Sequence, residues 1–359
     1  MQYRVLVVDD SPFMRKLISD MIESDPDFRV IGTAKNGFEA IELVQELRPD
    51  VVTLDVEMPG MSGLETLEKI LKTYPVPVLM FSSQTERGAG VTIAALEMGA
   101  VDFLHKPSGI LTVERVRDEL LYKLKAAAKV RVPRLAAPST ARRTEEPPVA
   151  AINRSQRTEK AASPSRNFYH LFAIGTSTGG PRALQTVLTA LPEDFPNPIL
   201  IVQHMPPKFT RSLARRLNDL AKIHVTEAED GQVIEGGVAY LAPGGYHMEA
   251  VFEEPRTYRI VLNQKPPRNG HRPSVDVLFE SVSRLPHLHL HYIIMTGMGS
   301  DGARALLAAK QKGAASTIAE AEETCVVFGM PKAAIALGGV DYVLPLDKIA
   351  DKMIALSRN

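Results

Sequence analysis

Short apolar runs that stop on a polar residue recur along this chain, and the stretches between them carry helical spacing. In the first third, Arg4–Val8, Arg29–Thr33, Val51–Leu54, Val78–Phe81 and Val101–Leu104 read as strands. Met14–Ile22, after the Ser11-Pro12 start signal, and Phe38–Leu47, after Asn36-Gly37, read as amphipathic helices between them. Such alternation predicts an α/β fold with a doubly wound parallel sheet. These sheets gather their functional groups at the carboxyl ends of the strands, so the residues that close each run come first.

Asp9 and Asp10 close the first run, Asp55 the third, Ser82 and Ser83 the fourth and Lys106 the fifth. Three carboxylates at one sheet edge repel one another and call for a hard cation, of which Mg²⁺ suits oxygen ligands and retained water. Asp55 then serves as nucleophile toward a phosphoryl group, whose oxygens are neutralised by the metal, Lys106 and a serine hydroxyl. Taken singly, Asp9 and Asp10 read equally well as a capping pair and Lys106 as a surface charge. Their common place at one edge favours the phospho-acceptor.

A second set follows the same rule. Phe172–Pro181, FAIGTSTGGP, puts Ser177 at a strand-to-helix corner, where a hydroxyl is exposed beside the free N–H groups of a helix start. A nucleophile turn, a phosphate cradle and a merely structural turn share this pattern. The cradle lacks its G-K-[ST], and Gly175, Gly179 and Gly180 do not fit G-x-G-x-x-G. Pro198–Gln203 ends at His204, and Tyr292–Gly297 runs into MGSDG with Asp301. A serine hydroxyl needs an imidazole to take its proton and a carboxylate to orient that imidazole, and Ser177, His204 and Asp301 supply the set. The turns around Thr178 and Met298 can offer backbone N–H groups to an oxyanion, each worth about 3 kcal/mol.

A length of 359 residues, 45% of them apolar and 23% charged, suits two soluble domains. The zero formal net charge gives no bulk reason to expect nucleic acid or an anionic membrane as partner. The single cysteine, Cys325, excludes an internal disulfide and suits a reducing compartment; it reads as a buried thiol rather than a second nucleophile. No run approaches a membrane span, and the opening MQYRVLVVDD lacks a signal-peptide core, so a cytoplasmic protein without membrane insertion is expected.

After a helical pattern from Thr112 to about Lys129, Arg131–Asn167 carries five prolines and eight Arg and Lys against three Glu, the composition of an extended tether. Three units follow: residues 1–125, a linker at 126–167 and residues 168–359. In the last unit, Arg182–Leu191, Lys208–Leu220 and Ala303–Lys312 have helical spacing, Met248–Asn263 reads as a hairpin, and Ser274 is placed to cap a helix. His287, His289 and His291 alternate along one strand face, a spacing open to a metal site. His247 and His271 sit in loops near the expected site, where a hydrogen-bonded loop histidine is the default.

Residues 1 to about 125 resemble a response-regulator receiver domain through VVDDS, TLDVEMPGMSG, VLMFSS and DFLHKP. The resemblance implies a flavodoxin-like fold, with Asp55 phosphorylated and Mg²⁺ held by Asp10, Asp55 and the backbone carbonyl of Glu57, Asp9 acting through water. It places Ser82 and Lys106 against the phosphoryl group and a histidine kinase as phosphodonor; His105 inherits no role. The second half resembles the catalytic domain of chemotaxis protein-glutamate methylesterases through AIGTSTGGP, VQHMP, APGGYHM, HRPSVDVLF, TGMGSDG and FGMPKAAI. That likeness implies a Rossmann-like three-layer domain with Ser177 as nucleophile, His204 as base and then acid, Asp301 as orienter and Thr178 and Met298 as backbone donors. Its implied substrates are glutamyl methyl esters, and receptor glutamines, on chemoreceptors; hydrolysis needs no cofactor.

Two couplings of the halves follow. In one, implied by the resemblance, the unphosphorylated receiver packs over the triad and phosphorylation weakens that packing. In the other, the second half is a noncatalytic binding module switched by the receiver. A DNA-binding output is disfavoured by the neutral charge and the lack of a helix-turn-helix unit.

Overall fold

The structure, a computed structural model, describes residues 2–83, 85–107, 110–130 and 168–358. Most of the expected linker, 131–167, therefore lies outside the described residues.

The first half contains β1 (Tyr3–Val8), α1 (Pro12–Glu23), β2 (Phe28–Ala34), α2 (Gly37–Leu47) and β3 (Val51–Asp55). It continues through α3 (Gly63–Thr73), β4 (Val78–Ser82), α4 (Glu86–Met98), β5 (Asp102–His105) and α5 (Ile110–Ala127). Local signals start two of these helices as expected: Ser11, with Pro12 behind it, accepts from the Met14 N–H, and Asn36 accepts from the Glu39 N–H; the structure adds a reciprocal capping box of Ser62 with Glu65 at the start of α3. The five strands pair in parallel in the order β2-β1-β3-β4-β5. Apolar side chains cover both faces, with Val8, Leu54 and Met80 toward one helical layer and Val7, Leu79 and Phe81 toward the other.

The second half begins with β6 (His170–Thr176), α6 (Gly180–Ala190), β7 (Ile199–Gln203), α7 (Phe209–Leu220), β8 (His224–Glu227) and β9 (Val238–Leu241). The hairpin is β10 (His247–Glu253) with β11 (Thr257–Asn263), followed by α8 (Val275–Val282) and β12 (His289–Ile294). The rest is α9 (Ala303–Gln311), β13 (Ser316–Glu320), α10 (Met330–Ala336), β14 (Tyr342–Leu344) and α11 (Leu346–Leu356). Seven parallel strands run β14-β13-β12-β6-β7-β9-β8, which seats β6 between β12 and β7 at the centre. Ser177, His204 and Asp301 thus leave three neighbouring strands at one edge, the arrangement expected from their positions in sequence.

The two halves touch. α4 packs on α6 and α7, Arg216 pairs with Glu97, and Phe103 of β5 stacks on Phe209 of α7 with ring centroids 4.8 Å apart. Among the described residues no helix is long and apolar enough to cross a membrane.

Candidate active site

At the rim of the seven-stranded sheet, His204 Nε2 lies 2.9 Å from Asp301 Oδ2. Both side chains are almost fully buried. The Asp301 carboxylate also accepts from the Val275 N–H (2.7 Å), the Ser274 hydroxyl (2.9 Å), Asn269 Nδ2 (3.0 Å) and the Asp276 N–H (3.3 Å). Burial pushes its pKa up, but the His204 hydrogen bond and charge, with the Asn269 and Val275 donors, outweigh that and hold the carboxyl well below the usual range. Ser274 occupies the N-cap position of α8, yet its side chain makes no cap bond: the hydroxyl is spent on Asp301, which takes over the helix's first N–H groups.

Asp276 returns the favour to the helix that follows Asp301. Its carboxylate accepts from the Gly302 and Ala305 N–H groups at the start of α9, and from the same Asn269 amide at 2.8 Å. Two buried carboxylates thus cap each other's helices, with Asn269, at φ 53°, between them.

With Nε2 engaged by Asp301, His204 Nδ1 is buried and has no partner among the described residues. It is the free nitrogen that a base requires. Ser177, half-buried, makes no side-chain hydrogen bond among the described residues, so the hydroxyl and the imidazole are not bonded to each other. What joins them is the main chain: the His204 N–H donates to Thr176 O at 3.2 Å, and the Ser177 N–H to Thr296 O at 3.0 Å. Thr296 is braced by Glu320, buried at the end of β13, through its N–H at 2.8 Å, and its own hydroxyl donates to Thr178 O at 2.9 Å. Gly179 turns the chain at φ 79°, where a Cβ would lie 2.6 Å from Val326. The Thr178 and Met298 N–H groups carry no hydrogen bond among the described residues and remain available as donors.

His271 stacks flat on His204, centroids 3.8 Å apart and planes 5° from parallel. Burial and the neighbouring His204 depress its pKa to about 4, so it stays neutral near pH 7. His247 follows the default instead, pairing with Pro266 O at 3.1 Å. The three alternating histidines do not share one face: His287 precedes β12 with φ 63° and packs edge-on to Phe252, while His289 and His291 face His170 of β6. They form no cation-holding cluster among the described residues. Cys325 is half-buried, and burial pushes its thiol far up, away from a thiolate.

In the first half, ligand oxygens of Asp9, Asp10 and Asp55 lie within 4.8 Å of one another. Lys106 Nζ sits 2.8 Å from Asp9 and 2.7 Å from Asp55. Hard oxygen donors converging from two buried carboxylates and exposed Asp10 fit a divalent cation that keeps part of its water. Burial raises the Asp55 pKa to about 6 against the opposing pull of Lys106, with the Asp9 charge adding to the rise. Ser82 is buried, with its hydroxyl donating to Ser83 O and accepting from Thr92; the Glu57 side chain is exposed and accepts from Ser83.

One contact links the two sites. The Thr178 hydroxyl, in the turn that carries Ser177, donates to the carboxylate of Asp102 on β5, which is also paired with Lys123 of α5. Gln203, Asn269, Asp276, Glu320 and this Thr178–Asp102 bond were not legible in advance. A polar Gln203 ending an apolar strand, and the Asn269-Gly270 turn, were the available hints.

Comparison with known proteins gives the family. Residues 172–353 match the CheB methylesterase family and residues 5–115 the response regulator receiver domain. The protein-glutamate methylesterase/protein-glutamine glutaminase of Geobacillus kaustophilus is 52% identical over 355 residues, covering 98% of each chain. That of Bacillus subtilis is 45% identical, covering 97% of this chain and 96% of its own. The crystal structure of the Thermotoga maritima CheB methylesterase catalytic domain aligns with 53% of this chain and all of its own, at 42% identity and a TM-score of 0.51. The chain therefore belongs to the CheB methylesterase family, with a response regulator receiver domain ahead of the methylesterase domain.

Proposed function

We propose that this protein hydrolyses glutamyl methyl esters on chemoreceptors, releasing methanol, and hydrolyses receptor glutamine amides to glutamate, at a rate set by phosphorylation of Asp55. The observation that carries the reading is the buried His204–Asp301 pair with Nδ1 left free, on the strand end whose main chain is bonded to Thr176 next to Ser177. Ser177 Oγ attacks the side-chain acyl carbon while His204 Nδ1 takes its proton. Asp301 holds the Nε2–H tautomer and stabilises the imidazolium. The Thr178 and Met298 N–H groups receive the oxyanion. His204 then gives that proton to the departing methoxide, or to the amide nitrogen of a glutamine, releasing methanol or ammonia; water deprotonated by the same nitrogen attacks the glutamyl-enzyme, and the proton returns to Ser177 Oγ as glutamate leaves.

In the receiver, a chemotaxis histidine kinase is the phosphodonor. Asp9, Asp10, Asp55 and the Glu57 carbonyl would hold Mg²⁺, which when bound supplies positive charge against the phosphoryl oxygens. Lys106, already paired with Asp55, and Ser82 complete the surroundings of the phosphoryl group. Residues 1–125 and 168–359 act as receiver and catalytic units joined through 126–167, in the cytoplasm, where kinase and receptor tails meet. The Thr178–Asp102 bond and the Phe103–Phe209 stack support a receiver that restrains the nucleophile turn until Asp55 is phosphorylated.

The test is methanol release from methylated receptor membranes, with and without a small-molecule phosphodonor, on wild type and Ser177→Ala. Release that needs Ser177 and rises with the phosphodonor is expected. Retained release in Ser177→Ala overturns the hydrolase reading.

A further inference from the structure

We propose that Gln203 is a positioning residue for Ser177 and His204, its side-chain amide acting as the last rung between β6 and β7. The idea rests on the serine-hydrolase reading and deepens it. Thr176 and Gln203 are the final paired residues of these two parallel strands. Past them the ladder keeps one bond, from the His204 N–H to Thr176 O at 3.2 Å, and then the main chains part: the Ser177 N–H turns away to Thr296 O, and no main-chain bond joins residues 177 and 204.

The amide of Gln203 fills that gap. Its Nε2 donates to Ser177 O at 2.9 Å and to His204 O at 3.2 Å, while its Oε1 accepts from the Thr176 hydroxyl at 3.2 Å. The orientation is forced, since two carbonyls can only accept and must face the NH₂. Gln203 is only 2% exposed, so these bonds have no water to replace them. Ser177 O also accepts from the Gly180 N–H at 2.8 Å, which holds the turn from its other side.

Gly180 points to the same clamp. Its φ lies outside the left-handed region, so the backbone alone does not call for glycine there. A Cβ would lie 1.9 Å from Gln203 Oε1 and 2.0 Å from the Thr176 hydroxyl. Glycine at 180 is what lets the amide sit between the two carbonyls. Because the Ser177 hydroxyl and His204 are not bonded to each other, their approach depends on where their main chains are held, and a displacement of about 1 Å in such a pair costs about 100-fold.

The experiment follows phosphonylation of Ser177 by a fluorophosphonate in the full chain, activated with Mg²⁺ and a small-molecule phosphodonor, as a function of pH. Gln203→Met keeps the length and removes the donors. It should lower the labelling rate about 10- to 100-fold with the pH midpoint unmoved, because the His204–Asp301 pair is untouched. On methylated receptors kcat should fall while KM stays within about twofold, the signature of lost transition-state placement. Gly180→Ala, which displaces the amide without removing it, should reproduce the effect and serves if Gln203→Met does not fold. Labelling of both variants within about twofold of wild type, or a shifted pH midpoint, overturns the proposal. Ser177→Ala separates the two levels: labelling that survives in it sinks the hydrolase reading, whereas silence there with normal labelling of both Gln203→Met and Gly180→Ala sinks the clamp alone.

Discussion

Asp55 and Asp301 stand at equivalent places, each buried at the carboxyl rim of a parallel sheet beside a nitrogen base, and their acidities move in opposite directions. Asp55 has Lys106 and one weak backbone donor, the Glu57 N–H at 3.3 Å, and it shares its space with the Asp9 carboxylate. Asp301 has five donors, two of them from the first turn of α8. Burial penalises both anions, and the count and aim of donors decide the outcome. The difference suits the roles proposed above: a carboxylate that would accept a cation and a phosphoryl group is left undersatisfied, and one that would stay an anion through a catalytic cycle is saturated.

The widest separation of the two is expected from their amide variants. Asp301→Asn should lower methanol release by about 10⁴-fold, since an amide favours the wrong imidazole tautomer. It should also lower the melting temperature. Asp301 has a folded pKa below its unfolded one, so its ionisation stabilises the fold above the unfolded value, and the variant loses that contribution near pH 7. Asp55→Asn should do the reverse. Its folded pKa is raised, so ionisation at pH 7 works against the fold, and the variant should melt higher in the absence of divalent cation. It should keep basal activity and lose the stimulation by phosphodonor, about 5- to 150-fold for a coupling of typical size. Equal signs in the two melting shifts would break the comparison.

The link between the regions gives a smaller effect. Asp102→Asn weakens the hydrogen bond from Thr178 while keeping its shape. Basal methanol release should rise about 10-fold, the equivalent of one hydrogen bond to a charged group. An unchanged basal rate, with stimulation intact, would remove this contact from the restraint.

The least effect concerns histidines that take no part in the chemistry. Burial, with His170 and His289 beside it, depresses His291 to about 3. Such a group binds protons more readily unfolded, so its contribution is full above the ordinary value near 6.5 and is lost as pH falls toward about 3. His291→Phe, stacked as His291 is on Phe172, should flatten the acid side of a denaturant-unfolding profile without changing methanol release.

Much of this was legible locally. The strands of the first half, the Ser11 and Asn36 helix starts and the polar residues that close each strand come from periodicity and capping, which act over a few neighbours. The role of Ser274 was not, because its hydroxyl had two possible partners, the α8 N–H groups next to it and a carboxylate 27 residues away, and the distant one won. His287 left the face of its neighbours because its backbone turns to φ 63° before the strand begins.

Which side chains stand at the edges of the sheets was thus determined by the sequence itself, through the abrupt end of each apolar run. Only the tertiary structure decided which nitrogen of His204 meets Asp301, that Gln203 spans the gap to Ser177, and that Asp102 reaches Thr178 from the other half. Those choices depend on strand register and helix packing between segments 26 to 97 residues apart. Local propensity carries no information over such separations, whereas the unpaired buried donors and acceptors that any other arrangement would leave impose a free-energy cost that selects this one.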